Sequence, residues 1–292
     1  MRDQAARTES AASDRATQLA EVATDCASCS AALRAVASAS HERLEALGGL
    51  WDPWGGTPPE GASAPAAVSE APTDVSAFVA WLARTATRDL EIAADTNRTS
   101  ADEARTLSAA ALGRYASAVT IAQAYGIDLD AGLDQALLVN DRVNAASRQG
   151  VQTWSIDLFD APGISASFAP SGKDLASSQE LSSAVATWDC TASTLPQAQV
   201  SAGTLSDAYA VSGELLARAD VALRAGAADT RTPRCTLGFL DAPSLASNLL
   251  AADSAMLASN SSDVRAAGAS AALADIQQWA PRTSLPALIG TR

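Results

Sequence analysis

The feature that most constrains the fold is a run of small and apolar residues between Gln18 and Leu47. They recur mostly at steps of three and four residues, which places them on one face of an α-helix. They are Leu19, Val22, Cys26, Cys29, Leu33, Val36, Ser40, Leu44 and Leu47. The pattern predicts one long amphipathic helix, about 55 Å long at 1.5 Å per residue if it starts near Ala11. We expect the rest of the chain to pack against it.

Apolar spacing and helix-capping signals predict the remaining helices, and no alternating strand pattern persists anywhere. The clearest signal is Ser100 followed by Glu103, which is the spacing of a capping box. We expect helices from Thr73 or Asp74, from Ser100 to Gly126, from Asp128 or Asp130 to Gly150, from Asp174 to Pro196, from Thr204 to Ala225, from Asp241, and from Ser262 or Asp263 to Trp279. The sequence therefore predicts an all-α fold, an elongated helical bundle of seven to eight helices around the long N-terminal helix.

The length and the Pro-rich stretches suggest how this bundle is divided. We expect one elongated domain over residues 1–292, with a split into 1–150 and 151–292 as the alternative. Residues 50–73 form a Pro-rich connection. Residues 1–17 are more polar than a core helix, so they fray, lead toward a membrane anchor removed from this chain, or pair with a partner.

The composition excludes some classes of partner. The formal net charge is −13, whereas nucleic acids and anionic membrane surfaces require a basic surface. We therefore expect no nucleic-acid partner. Hydrophobic residues make up 48% of the chain and aromatic residues only 4%, which favours closely packed Ala- and Leu-rich helices. The single lysine, Lys173, among many arginines is typical of actinobacterial proteins.

Four cysteines form an even set, and Cys26 and Cys29 make a C-x-x-C motif. The motif can be a redox pair, half of a metal site, or part of two structural disulfides. Inside one helix the two cysteines share a face, so we expect Cys26–Cys190 with Cys29–Cys235, or Cys26–Cys235 with Cys29–Cys190. A Cys26–Cys29 bridge would require a distorted helix and would leave Cys190–Cys235. Free buried thiols are the alternative to disulfides.

Disulfides would place the protein in an oxidising compartment. The sequence contains neither a signal peptide nor a stretch of about 18 apolar residues that could span a membrane. Either the protein is cytosolic or its export segment is absent from this chain. Because we expect disulfides, we favour an exported, extracytoplasmic protein of the cell envelope whose native export segment is absent from this chain.

The candidate catalytic residues are few. His41, the only histidine, lies about 18 Å from Cys29 along a helix, so those two cannot form a nucleophile–base pair. His41 and Glu45 are four residues apart and can form a surface pair or, alternatively, an acid–base pair. The spacing from Gly163 to Lys173 does not fit a phosphate-binding loop. We expect no cofactor, no nucleotide and no catalytic metal.

The best candidate for a binding surface is the turn that contains Trp51 and Trp54. Two indoles at a turn can hold a partner protein or a sugar. The alternative is that they close the end of a helical bundle.

The segment Ser40 to Gly56, SHERLEALGGLWDPWGG, resembles exported actinobacterial helical proteins of unknown function that have a ferritin-like bundle. The resemblance is clearest over residues 20–150 and implies a ferritin-like fold. Ferritin-like metal sites use two Glu-x-x-His motifs. Because this chain has one histidine and no such motif, no metal ligand is implied, and we expect a ferritin-like bundle without a metal site.

These observations favour a non-catalytic interaction or scaffold domain at the bacterial cell envelope, with another envelope protein as its partner. The interaction candidates are Trp51, Trp54, His41 and Glu45. The alternatives are a small-ligand-binding bundle, which would need a closed apolar pocket among the second to sixth helices, and an enzyme that uses carboxylate and histidine chemistry.

Overall fold

The computed structural model confirms the all-α bundle. It describes residues 1–52, 54–55, 60, 68–129, 174–202, 205–232, 235 and 241–291, and within these ranges the regular structure is entirely helical. The helices are α1 (Arg2–Val22), α2 (Ala27–Ala46), α3 (Val75–Ala94), α4 (Ala101–Tyr125), α5 (Asp174–Ser177), α6 (Gln179–Ala202), α7 (Leu205–Arg224), α8 (Ala242–Met256) and α9 (Ser262–Trp279). The helix predicted between Asp128 or Asp130 and Gly150 lies outside the described residues from position 130 onward.

The prediction of one long N-terminal helix is wrong, because two helices, α1 and α2, occupy that stretch and pack as an antiparallel hairpin. The direction is fixed by hydrogen bonds at both ends. The Ser30 hydroxyl donates to the Ala20 carbonyl near the tip, and Nε of Arg2 donates to the Leu47 carbonyl at the base. Both helices bury residues at steps of three and four, mainly alanines on α1 and larger residues such as Leu33 and Val36 on α2, so the spacing continues across the turn that separates them.

The break has a local cause at the tip of the hairpin. Ala23 leaves the helical region with ψ at 51°, and Cys26 is extended with φ at −135° and ψ at 96°. The sulfur of Cys26 then accepts a hydrogen bond from the Cys29 backbone N–H at 3.2 Å and serves as the N-cap of α2.

Residues 2–17 form the first part of α1, and one face of that helix is buried. Fraying, proximity to an anchor and pairing with a partner stay predictions for this segment. Every third or fourth residue of α1 is buried against its neighbours: Ala5, Ala6, Thr8, Glu9, Ala12, Ala16, Leu19 and Ala20. The sequence of residues 1–17 has a polar character because the buried face of α1 consists mainly of alanines and includes the carboxylate of Glu9.

The second hairpin, α3 and α4, begins and ends where the sequence predicts. The carboxylate of Asp74 caps α3 by accepting from the Ala77 N–H at 2.9 Å. Ser100 and Glu103 form the reciprocal capping box of α4. Gly126 ends that helix in the left-handed conformation, with φ at 65°, which a residue with a Cβ rarely adopts.

The helix that follows Asp174 continues beyond its predicted end. A single turn, α5, precedes α6, and Ser178 caps α6 through its hydroxyl, which accepts from the Leu181 N–H at 3.2 Å. Pro196 does not end α6, which runs to Ala202 with the proline inside it. Proline removes one hydrogen bond of a helix, and α6 tolerates that loss. The starts of α8 and α9 at Asp241 and Ser261 agree with the sequence.

Two large clusters of buried apolar residues meet along α8 and α9. Leu250 and Leu257 pack with α1 to α4, whereas Leu249 and Met256 of the same helix region pack with α5 to α7. Arg265 at the start of α9 joins the two groups of helices through hydrogen bonds to the carbonyl oxygens of Ala93 and Thr99 at 3.0 and 3.1 Å. Because residues 130–173 are not described, the number of domains stays a prediction.

Residues 280–291 follow α9 as an irregular segment, which we call the C-terminal strap, and they lie across α4. The Ile289 N–H donates to the Ala109 carbonyl at 3.3 Å, and the Ile289 side chain is buried. At Gly113 the strap comes so close that a Cβ there would overlap the carbonyl oxygen of Ala287. The strap thereby covers the middle of α4.

Candidate functional site

The turn after α2 exposes one large aromatic side chain. Trp51 is 60% exposed. Trp54 is half-buried, and its ring centroid lies 6.4 Å from that of Trp51 with the planes tilted by 48°. Leu50 and Met1 are also exposed at this end of the α1–α2 hairpin. We call these four residues the Trp51 patch. The Trp51 indole is mostly exposed to solvent, whereas the half-buried Trp54 leaves open the alternative that it closes the end of the bundle.

Both backbone groups of Trp51 are held by side chains of α1. The Trp51 N–H donates to Oδ1 of Asp3 at 3.3 Å, and Nη2 of Arg7 donates to the Trp51 carbonyl at 3.1 Å. Asp3 and Arg7 also form an ion pair with each other at 2.9 Å. Each exposed contact is weak alone, but together they fix the direction of the backbone at Trp51.

His41 and Glu45 form the predicted pair one to two turns before this turn. Nε2 of His41 lies 3.4 Å from Oε1 of Glu45, and the two side chains are 64% and 70% exposed. They face solvent rather than a closed cleft, so these two residues do not form the enclosed acid–base site that the enzyme hypothesis requires. Arg43, between them in sequence, points to the opposite side of α2 and is buried.

The four cysteines form two disulfides as predicted, but both proposed pairings are wrong. The structure joins Cys26 to Cys29 and Cys190 to Cys235, each with its Cα atoms 5.2 Å apart. A Cys26–Cys29 bridge was expected to require a distorted helix, because both cysteines were placed within one continuous helix. The structure breaks that helix at Cys26. Neither bridge links the N-terminal helices to the C-terminal half. Two disulfides are compatible with an extracytoplasmic location.

A buried network of charges joins the first four helices, and the sequence analysis missed it. The carboxylate of Glu9 on α1 binds Nε of Arg43 on α2 at 2.9 Å and Nε of Arg114 on α4 at 2.8 Å. Arg114 also binds Asp89 on α3 at 2.8 Å. Asp89 in turn accepts from the half-buried Arg88 at 2.8 Å. We call these residues the Glu9 network.

The buried members of this network carry equal numbers of positive and negative charges, so each buried charge has a partner of opposite sign. Two carboxylates, Glu9 and Asp89, face two guanidinium groups, Arg43 and Arg114. Burial opposes the charged form of Arg114, but Glu9 and Asp89 outweigh it and raise its pKa. Burial lowers the pKa of Arg43, and Glu9 only partly offsets that. We interpret the Glu9 network as an internal clamp on the first four helices.

A second buried cluster lies among α6 to α9 and carries an excess of negative charge. Nη2 of Arg218 binds Asp275 at 3.0 Å, and its Nη1 lies 3.8 Å from Asp253. The indole N–H of Trp188 donates to Asp253 at 2.8 Å. The guanidinium of Arg218 lies 5.4 Å from the centroid of the Trp188 ring. Glu214 completes the cluster at 3.4 Å from Arg218.

The excess of carboxylates in this second cluster changes their protonation. Burial raises the pKa of Asp253 well above its ordinary value, and Asp275 raises it further, which outweighs the attraction of Arg218. Burial likewise raises the pKa of Glu214. Within the described residues, Oδ2 of Asp253 and Oδ2 of Asp275 accept no hydrogen bond, which is consistent with a protonated Asp253 carboxyl group.

Two clefts border the C-terminal strap. One of about 390 Å³ lies between the strap, α2 and α4 and reaches Arg43. The other, about 790 Å³, lies between the strap and α8 and is lined by Glu42, Ser244, Ser247 and Asn248 among others. Neither is the closed apolar pocket among the second to sixth helices that a ligand binder was expected to need.

Metal-ligand clusters and membrane-spanning helices are both absent from the described residues. No group of three or more His, Cys, Asp or Glu side chains there is arranged to hold a metal ion. Among the same residues, no helix combines the length and apolarity that crossing a bilayer requires.

Comparisons with family models, with curated proteins and with solved structures gave no match for this chain. The similarity to exported ferritin-like proteins therefore stays a prediction from the segment Ser40 to Gly56.

Proposed function

We propose that this chain is a non-catalytic interaction domain of the bacterial cell envelope, and that the Trp51 patch is its binding surface. The observation that carries the proposal is the exposed indole of Trp51, whose backbone is held on both sides by Asp3 and Arg7. Tryptophan is enriched among the residues that dominate binding energy at protein interfaces. A backbone segment held in place before binding loses less conformational entropy when a partner docks.

The surroundings of the patch suit a protein partner. Leu50 and Met1 extend the apolar surface, and the charged side chains of Asp3 and Arg7 lie at its edge. An apolar centre with a polar rim is the usual anatomy of a protein interface. His41 and Glu45, exposed on the last turns of α2, supply further polar contacts on this side of the hairpin.

The buried charges support a structural role for the bundle itself. The Glu9 network fixes the positions of α1 and α2 relative to α3 and α4. The Trp51 patch is built from Met1, just before α1, and from the turn after α2, so a rigid hairpin presents it in one geometry. The disulfides support assignment to an oxidising compartment outside the cytoplasm.

The test is a crosslinking pull-down from the native cell envelope with three versions of the chain. Wild type is compared with the double variant Trp51→Ala/Trp54→Ala and with Tyr209→Ala, which removes an aromatic side chain of similar exposure, 62%, on α7. We expect wild type and Tyr209→Ala to recover the same partner, and the double variant to recover at least about tenfold less, as for a loss of 1.4 kcal/mol or more. Equal recovery by all three would remove the Trp51 patch from the proposal.

A second candidate function is the binding of a small ligand in the 790 Å³ cleft beside the strap. Its volume is within the range of small-molecule sites, and its lining combines hydroxyl and amide groups with the aliphatic side chains of Leu250 and Leu288. Mass spectrometry of the chain purified from its native source under non-denaturing conditions tests this alternative. A stoichiometric small molecule that Ser247→Trp displaces would favour it over the interaction domain.

A further inference from the structure

The Cys26–Cys29 disulfide lies at the N-terminus of α2, a position that distinguishes it from a disulfide with a purely structural role. Cys26 is the N-cap residue of α2, and Cys29 lies in the first turn of that helix. The first backbone N–H groups of a helix have no partner within the helix, and they favour negative charge at this end. A cysteine at such an end is stabilised as a thiolate once it is reduced.

The hydrogen bonds around the two sulfur atoms are asymmetric. Sγ of Cys26 accepts from the Cys29 backbone N–H at 3.2 Å and lies 3.4 Å from the Ser28 hydroxyl, which can donate to it. Sγ of Cys29 instead lies 3.4 Å from the carbonyl oxygen of Ala124 on α4, an acceptor only. After reduction, Cys26 would thus be favoured as a thiolate and Cys29 as a thiol whose S–H faces a carbonyl.

The two cysteines also differ in their exposure to solvent. Cys26 is half-buried and reachable from solvent at the tip of the hairpin, whereas Cys29 is buried against α4. Thiol–disulfide exchange requires access to the attacked sulfur, which is Cys26 here, and the later step that releases Cys26 proceeds faster because Cys26 is stable as a thiolate. Asp25 works against the thiolate because it adds a negative charge beside Cys26, but its side chain is exposed and therefore screened.

We propose that Cys26–Cys29 is a redox-active disulfide that exchanges with a dithiol of a polypeptide substrate, with Cys26 as the exchanging sulfur and Cys29 as the resolving one. This activity is separate from the Trp51 patch, which lies at the other end of the hairpin, about 30 Å away for helices of 20 residues. A redox pair was one of the three interpretations of the C-x-x-C motif from the sequence, and the break before α2 places this pair at a helix N-terminus rather than within a helix.

The exchange has two steps, which together move two electrons from the substrate to the protein. A substrate thiolate attacks Sγ of Cys26, the bond between Cys26 and Cys29 breaks, and Cys29 leaves with the electron pair and takes up a proton. The second substrate thiol then loses its proton and attacks the substrate sulfur of the mixed disulfide, so that Cys26 leaves as a thiolate. The substrate ends as a disulfide, and a small-molecule disulfide in the compartment reoxidises Cys26 and Cys29 by the reverse steps.

The Cys190–Cys235 bridge is the matched control within the same chain. Cys190 lies inside α6, where the backbone N–H groups are engaged in helical hydrogen bonds, and its partner is 45 residues away. Neither cysteine lies at the N-terminus of a helix in the described part of the chain, so the helix-end effect that favours a Cys26 thiolate does not apply to this bridge. The two disulfides should therefore respond differently to the same reductant.

The first test titrates the oxidised full chain with dithiothreitol at pH 7 and maps the alkylated cysteines by mass spectrometry. We expect Cys26–Cys29 to open at a ratio of reduced to oxidised dithiothreitol at least about tenfold lower than Cys190–Cys235, since a stabilised thiolate makes a disulfide more oxidising. Circular dichroism should stay unchanged at that point. Simultaneous opening of the two bridges, or opening of Cys190–Cys235 first, would overturn the proposal.

The second test assigns the roles of the two sulfurs in the reduced chain. Iodoacetamide at pH 6.5 should modify Cys26 at least about tenfold faster than Cys29, and faster than the same cysteine in the chain unfolded by urea. Ser28→Ala, which removes one donor without touching either cysteine, should slow the reaction of Cys26, whereas Asp25→Asn should accelerate it. Preferential modification of Cys29, or a Cys26 rate equal in folded and unfolded chains, would contradict the assignment.

Discussion

Glu9 and Arg43 form an ion pair with no solvent exposure on either side chain, and 2.9 Å separates Oε2 of Glu9 from Nε of Arg43. The same carboxylate holds Arg114 through its other oxygen. We expect Glu9→Gln to lower the free energy of unfolding by about 3–5 kcal/mol, because two guanidinium groups would stay buried without their shared counter-charge. Urea unfolding followed by circular dichroism measures the change.

An exposed ion pair supplies the control for this prediction. Asp220 and Arg224 pair on the surface of α7, and Asp220→Asn should change the stability by less than about 1 kcal/mol. If Glu9→Gln and Asp220→Asn lowered the free energy of unfolding equally, the Glu9 network would not clamp the first four helices together.

The stability of the chain should fall with rising pH because of Asp253. Its pKa in the folded protein is raised above the ordinary value of 3.8, so the folded state keeps this proton while the unfolded state has released it. The folded state therefore loses stability as pH rises from about 3.8 toward the raised pKa of Asp253, and below 3.8 this contribution is complete. Asp275, Arg218, Glu214 and Trp188 are the groups around Asp253.

Asp253→Asn tests this dependence because asparagine imitates the protonated carboxyl group. Its carbonyl oxygen can still accept from Trp188, and its amide can donate to Asp275. Urea unfolding of wild type and of Asp253→Asn between pH 4 and pH 8 gives the free energy of unfolding of each. As pH rises, we expect the variant to become more stable relative to wild type. A difference that does not vary with pH would contradict the raised pKa.

The sequence predicted the parts of the fold that depend on local chemistry. Asp74, Ser100 and Asp241 are caps whose side chains reach backbone N–H groups only three residues away, and the capping box and the Gly126 stop are equally local. The break at Cys26 was missed because α1 and α2 both bury residues at the same steps of three and four. The period of three and four residues carries no information on whether those residues lie on one helix or two.

The Glu9 network was missed because an isolated charged residue in an alanine-rich helix resembles an ordinary surface residue. A signal for it does exist in the spacing. Glu9 continues the buried series of Ala5, Ala12 and Ala16, and Arg114 lies four residues from both Ala110 and Ala118. A charge on the apolar side of a helix indicates a buried partner, but only the assembled fold identifies that partner, since Arg114 lies 105 residues from Glu9.

Gly113→Ala should displace the C-terminal strap. The added methyl group would overlap the carbonyl oxygen of Ala287, and neither the helix nor the strap backbone can move away without losing contacts. We expect a loss of about 1–3 kcal/mol in the free energy of unfolding, together with faster proteolysis within residues 280–291. Ser117→Ala is the control, because that hydroxyl bonds only the Gly113 carbonyl of its own helix, and it should leave the strap protected.

The two disulfides should contribute unequally to stability because they close loops of different length. Cys190 and Cys235 are separated by 45 residues and Cys26 and Cys29 by three. The loop-entropy relation gives a stabilisation of roughly 4 kcal/mol for the long loop and roughly 2 kcal/mol for the short one. Urea unfolding of Cys190→Ala/Cys235→Ala and of Cys26→Ala/Cys29→Ala, each beside wild type, measures the two costs. A larger cost for the short loop would mean that Cys26–Cys29 is needed to hold the hairpin together, and it could not then open and close in redox exchange without loosening α1 from α2.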